Sequence, residues 1–149
     1  MTSHTIKVLF IESDHDEIHS LQEALSVAQI VSVEIQEVED GEHALAYLRQ
    51  EHPFLDAPRP DLIFLRLKLP GMSGFEVLEE IYQDPQIRSI PIAVLTHATN
   101  PRILAKVHKP SLPRYVFKKP TNCNEWIYIL RCVEDVWLTI TSIPGKQDS

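Results

Sequence analysis

The chain reads as an α/β protein built on one doubly wound parallel sheet, and three observations carry that reading. Short, mostly apolar runs such as Ile6–Ile11, Asp61–Arg66 and Pro91–Leu95 have the length and composition of strands buried on both faces. Between them lie segments with apolar residues at helical spacing. Strand and helix alternate five times with short connections, the pattern of parallel strands joined by helical crossovers.

The first strand, Ile6–Ile11, runs at once into the acidic and polar stretch Glu12-Ser13-Asp14-His15-Asp16-Glu17. The helix that follows carries Ile18, Leu21, Leu25 and Ala28 on one face. Val31, Val33 and Ile35 alternate with polar neighbours, as expected of a more exposed second strand. Asp40-Gly41-Glu42 opens a second helix with Ala44, Leu45 and Leu48 inward. His52 to Pro60, with three prolines, is a loop leading to the third strand, which ends at Arg66. Phe75, Leu78 and Ile81 form the stripe of a third helix, closed by Asp84-Pro85.

The fourth strand is Pro91–Leu95, closed by Thr96. Asn100 to His108 allows a short helix that Pro110 and Pro113 bring to an early stop. Tyr115–Phe117 is a brief fifth strand, and Asn122 to Leu138 a last amphipathic helix with Trp126, Ile129, Leu130, Val133 and Trp137 toward the core. With no repeat or linker, residues 1–149 are expected to form a single domain, with a core from 6 to 138 and a C-terminal extension from 139 to 149.

Hydrophobic content of 44% and charged content of 23% are those of an ordinary soluble domain. A net charge of −7 argues against nucleic-acid binding, which needs clustered lysine and arginine. Cys123 and Cys132 are too few for a disulfide framework and suit a reducing compartment. No apolar stretch is long enough to span a membrane and no signal peptide is visible, so a cytoplasmic location is expected.

In open α/β sheets, chemistry gathers beyond the carboxyl ends of the strands. Those ends here carry Glu12, Ser13 and Asp14, then Arg66, then Thr96, then Lys118 and Lys119. The stretch Pro60-Asp-Leu-Ile-Phe-Leu-Arg-Leu-Lys-Leu-Pro-Gly-Met-Ser-Gly-Phe-Glu-Val-Leu78 closely resembles the response-regulator receiver family (CheY-like domains), and the resemblance runs from Lys7 to Leu138. It implies a flavodoxin-like receiver fold with strand order 2-1-3-4-5, and two-component phosphorelay signalling without enzymatic activity of its own.

The resemblance also assigns positions. Arg66 stands where the family has its phosphoacceptor aspartate, and a guanidinium has no lone pair with which to attack phosphorus. The family's acidic pair corresponds to Glu12 and Ser13, with Asp14 beside them as part of a remnant acidic pocket. Lys68 takes the position that offers Mg²⁺ a backbone carbonyl. Thr96 and Tyr115 match the family's switch pair, and the family's lysine falls on Lys118 or Lys119. Mg²⁺ favours oxygen ligands with one or two carboxylates, so its binding is expected to be lost, with Arg66 pairing with Glu12 or Asp14 in its place.

The implied partner is a sensor histidine kinase or another signalling protein. A weaker resemblance of Glu134–Pro144 to single-domain receivers of bacterial phytochrome kinases adds a phytochrome partner and a homodimer through the last helix and extension, with Trp137, Leu138 and Ile140 facing the second copy. Two alternatives stand beside this reading. One is a phosphorelay receiver using another acceptor such as Asp14 or Asp61; the other is a small hydrolase using Glu12, Asp14 and Thr96. His15 and His19 have the spacing of a helical metal pair but lack an evident third ligand, so no metal site is assigned to them. Gly71 and Gly74 lack the spacing of a phosphate loop, and His97 restricts the pocket without a catalytic role.

Overall fold

The computed structural model describes residues 6–28, 33–96 and 114–141, with side chains from Val116 to Cys132 in the last segment. Its elements in order are β1 (Ile6–Ile11), α1 (His15–Val27), β2 (Val33–Val38), α2 (Gly41–Leu48), β3 (Leu62–Arg66), α3 (Gly74–Tyr82), β4 (Ile92–Thr96), β5 (Arg114–Lys118) and α4 (Cys123–Thr141). The five strands form one parallel sheet in the order β2-β1-β3-β4-β5, as expected. Val31, His97, the Asn100–Pro113 stretch, the Tyr115 side chain and the side chains of Val133, Trp137, Leu138 and Ile140 lie outside the described residues.

Two compact units divide the chain. The first comprises residues 1–18 and 32–119 and holds the sheet. Leu9, Ile11, Ile63, Leu65, Ile92 and Val94 join Ala44, Leu45 and Leu48 of α2 and Val77, Leu78 and Ile81 of α3 in one buried cluster. Fully burying each such side chain contributes about 1.5–3 kcal/mol, so this cluster fixes the sheet register. In α3, Phe75 packs at the edge of the cluster and Val77 takes the buried place. β2 alternates partly buried and exposed residues until Val38. The second unit, residues 19–31 and 120–149, holds most of α1 and all of α4. Its buried residues include Leu21, Ala24, Trp126, Ile129 and Leu130, whereas Leu25 and Ala28 are only half-buried.

The helix starts are set by local hydrogen bonds. Ser73 and Glu76 form a reciprocal capping box that opens α3. Gly74 follows the cap at the closest approach of α3 to β3. A Cβ there would lie 2.5 Å from Leu67 Cα and 2.7 Å from the Arg66 carbonyl oxygen, both backbone atoms that cannot swing aside. Gly74→Ala is therefore expected to destabilise the protein by about 1–3 kcal/mol through overpacking, measured by urea unfolding.

Asp40 caps α2, accepting 2.8 Å hydrogen bonds from the His43 backbone N–H and facing its Nδ1. Burial acts to raise the Asp40 carboxyl, but the bonds from His43 more than offset it and hold it below the usual 3.8. The folded value is the lower one, so this contribution is complete above the unfolded value and lost as pH falls through the folded one. Asp40→Asn keeps a capping oxygen without the charge. The stability difference between wild type and variant is expected to shrink by on the order of 0.5 kcal/mol between pH 6 and pH 3, as read from urea midpoints.

Candidate functional site

Parallel pairing brings the carboxyl ends of β1, β3, β4 and β5 to one edge of the sheet. Ile11 pairs with Leu65, Arg66 with Leu95, and Thr96 with Lys118. The residue after Ile11 is thus carried beside Arg66, and the two side chains meet: Arg66 Nη1 lies 2.7 Å from Glu12 Oε1. Glu12 is 1% exposed at its side chain and Arg66 20%. Glu12 Oε1 also accepts the Asp14 backbone N–H at 3.1 Å, and the Glu12 N–H donates to the Val38 carbonyl at 3.0 Å. The second carboxylate oxygen, Oε2, is buried without a hydrogen-bond partner among the described residues. A buried carboxylate needs a cation nearby, because desolvation of an unpaired charge costs several kcal/mol.

The other strand-end residues fall into different roles. Ser13 and Asp14 are exposed. Asp14 faces α1 instead of Arg66: its Oδ1 accepts the Asp16 N–H at 2.9 Å and its carbonyl the Glu17 N–H at 3.1 Å. Lys68 is exposed. Thr96 is buried at the end of β4, and its carbonyl accepts the Lys119 N–H at 3.0 Å. Of the two lysines, Lys118 is exposed and Lys119 buried. The Lys119 ammonium lies 3.2 Å from Glu17 Oε1 in the first turn of α1.

Glu17 is the site residue that sequence reasoning missed. The available signal was an acid directly before the buried Ile18, on the margin of an apolar stripe. Asp61, weighed as another acceptor, lies at the opposite end of β3. Its N–H and carboxylate bond the Lys7 carbonyl and N–H at 2.7 and 2.9 Å, and five residue steps along the strand separate it from Arg66 by about 16 Å. Among the described residues, no helix is long and apolar enough to cross a membrane.

The model of the response regulator receiver domain matches residues 8–127. A curated relative, response regulator Rcp1 of Synechocystis sp., is 31% identical over 138 residues, which are 93% of this chain and 92% of the relative. Among solved structures, the phosphorylated cyanobacterial phytochrome response regulator RcpA is 36% identical with a TM-score of 0.80, over 96% of this chain and 100% of that one. The Mn²⁺-bound form of Rcp1 is 30% identical with a TM-score of 0.78, over 94% and 99% of the two chains.

Removing the guanidinium tests how far the site depends on the ion pair. Arg66→Ala leaves Glu12 buried and uncompensated, and Arg66's partial exposure moderates the loss. A destabilisation of about 2–3 kcal/mol is expected in urea unfolding near neutral pH. With the neutral Glu12→Gln in the same background the loss is expected to shrink, which a double-mutant cycle reads directly.

Proposed function

Because the chain belongs to the response regulator receiver domain family, we propose that it is an atypical receiver of two-component signalling, not phosphorylated at the usual position and acting by protein–protein contact. The observation that carries this is the 2.7 Å contact between Arg66, at the carboxyl end of β3, and the buried Glu12. The side chain at that strand end is a cation without a nucleophilic lone pair. The neighbouring carboxylate, which would otherwise serve a divalent ion, is engaged by that cation.

Mg²⁺ does not fit this donor set. It requires near-octahedral oxygen ligands, whereas the set offers one carboxylate, with Oε1 committed to Arg66 and Asp14 and only Oε2, unpartnered among the described residues, left as a ligand oxygen. Asp14 is turned to α1 and Ser13 is neutral. The fixed guanidinium supplies a permanent positive charge at the same edge, so the occupancy of the pocket no longer depends on a signal. Thr96 and Tyr115 then have no phosphoryl group to respond to. Any change of state must come from a partner that binds one conformation better than another. The exposed faces of Ser13, Asp14, Lys68 and Lys118 form the polar rim available to such a partner.

The similarity to a phytochrome response regulator supports a phytochrome-type sensor kinase as the proposed partner class, and a cytoplasmic site of action is proposed with it. A second copy of the chain meeting through α4 is the other proposed partner, supported by the large apolar surface of Tyr128, which is 66% exposed. Static light scattering at micromolar concentration is expected to give a dimer mass.

Incubation with acetyl phosphate and Mg²⁺, followed by intact-mass measurement, tests the central statement. The wild-type chain is expected to gain no phosphoryl mass, while the double variant Arg66→Asp, Ser13→Asp is expected to gain one. A phosphoryl group on the wild-type chain would overturn the proposal.

A further inference from the structure

A second cluster of ligand-type side chains lies outside the Arg66 site. His15, the first residue of α1, has Nδ1 2.6 Å from Glu37 Oε1 and Nε2 2.9 Å from Glu39 Oε1. One ligand atom from each of the three residues can be chosen so that all lie within 4.8 Å of one another. The arrangement follows from the chain. Glu37 and Glu39 are two residues apart at the end of β2, so their side chains leave on the same side of the strand. His15 is set at the start of α1 by the turn around Asp14.

The contacts have the distances of an ion pair but not its hydrogen bonding throughout. Glu37 Oε1 is out of contact with solvent and has no hydrogen-bond partner among the described residues, although Nδ1 is 2.6 Å away. A desolvated carboxylate oxygen left in that condition costs about 1–3 kcal/mol or more. A cation held by one imidazole nitrogen and the two carboxylates removes that cost: the Nδ1–Glu37 pair opens to about 3–3.5 Å, as ligand bonds near 2.0–2.2 Å require, and the exposed Glu39, which faces Nε2, swings round to the same nitrogen. Glu39 and His15 are 61% and 68% exposed, so an ion can enter from water and keep water on its open positions.

We propose that His15, Glu37 and Glu39 bind a borderline divalent cation of the Zn²⁺ or Co²⁺ class. The imidazole sets the class, because Mg²⁺ and Ca²⁺ favour all-oxygen shells, whereas nitrogen with carboxylates suits the later transition metals. Glu37 and Glu39 flank Val38, whose carbonyl holds the Glu12 N–H. A bound ion would therefore tie the start of α1 to the end of β2 next to the Arg66–Glu12 pair. The site stands apart from phosphoryl chemistry and does not rest on the proposed function.

The full chain is titrated with Zn²⁺ by calorimetry and with Co²⁺ by visible absorbance. One equivalent is expected to bind, with His15→Ala and the isosteric Glu37→Gln each weakening the affinity by about tenfold or more. His52→Ala, at an exposed loop histidine, is expected to leave it unchanged, and circular dichroism without metal checks that each variant is folded. Wild-type affinity in folded His15→Ala or Glu37→Gln, an equal loss in His52→Ala, or no saturable binding by the wild-type chain would overturn the proposal.

Discussion

The Arg66–Glu12 ion pair is the interaction on which the carboxyl edge of the sheet depends. A carboxylate as enclosed as that of Glu12 is tolerated only beside a compensating charge, and Arg66 is the cation the register brings to it. The same carboxylate oxygen accepts the Asp14 N–H, and Asp14 in turn sets the first turn of α1. On the other side, the Arg66 carbonyl lies in the path of any Cβ at Gly74, where α3 begins. Two helix starts are thus referred to one charged contact.

On the proposed reading the pair is also a change in the kind of charge held at this edge. A divalent ion is free to exchange and can be exchanged along with the group it stabilises. A guanidinium is tethered, always protonated and limited to a planar fork of donors. At about 4 Å and an effective dielectric of 20, unit charges attract by roughly 4 kcal/mol before desolvation is subtracted, and desolvation offsets much of that for a pair this buried. Lys119 does not compete for Glu12, because its ammonium is drawn to Glu17. Arg66–Glu12 and Lys119–Glu17 are therefore separate ion pairs, each with its own acid from the β1–α1 region.

The fold was readable because nearly every strand is short and apolar and the helices between them carry clear stripes. Ile6–Ile11 and the end of β3 at Arg66 needed nothing beyond composition and spacing. The phase of α1 was less legible: Leu25 and Ala28 fit the helical spacing, yet Ala24 takes the buried place, because a stripe of small and large residues leaves the angle uncertain by about one position. Within the site, Arg66 could be paired with Glu12 or Asp14 because adjacent parallel strands deliver their ends side by side, and the structure decides for Glu12. The choice between Lys118 and Lys119 could not be made, since one inserted residue reverses which side chain a strand end turns inward. His15 with Glu37 and Glu39 was invisible for a related reason. The missing ligands came from another strand, and only the sheet register reveals them.

On the proposed reading, a receiver with its charge fixed in this way is switched by a partner and not by a phosphoryl group. A ligand shifts a two-state equilibrium only by its differential affinity for the two states. A phosphoryl group gains that differential by arriving at the pocket and drawing the switch residues toward it. With a guanidinium already paired to Glu12, the pocket presents the same charge in every state, and the leverage passes to surfaces whose shape differs between states. Thr96 is buried at the end of β4, beyond direct reach of a macromolecule. On the proposed reading a partner acts on the exposed residues that follow β1, β3 and β5 and reaches Thr96 through the pairing of β4 with β5. The proposed reading, a receiver that reads or presents a shape without storing a phosphoryl group, rests on this physical ground.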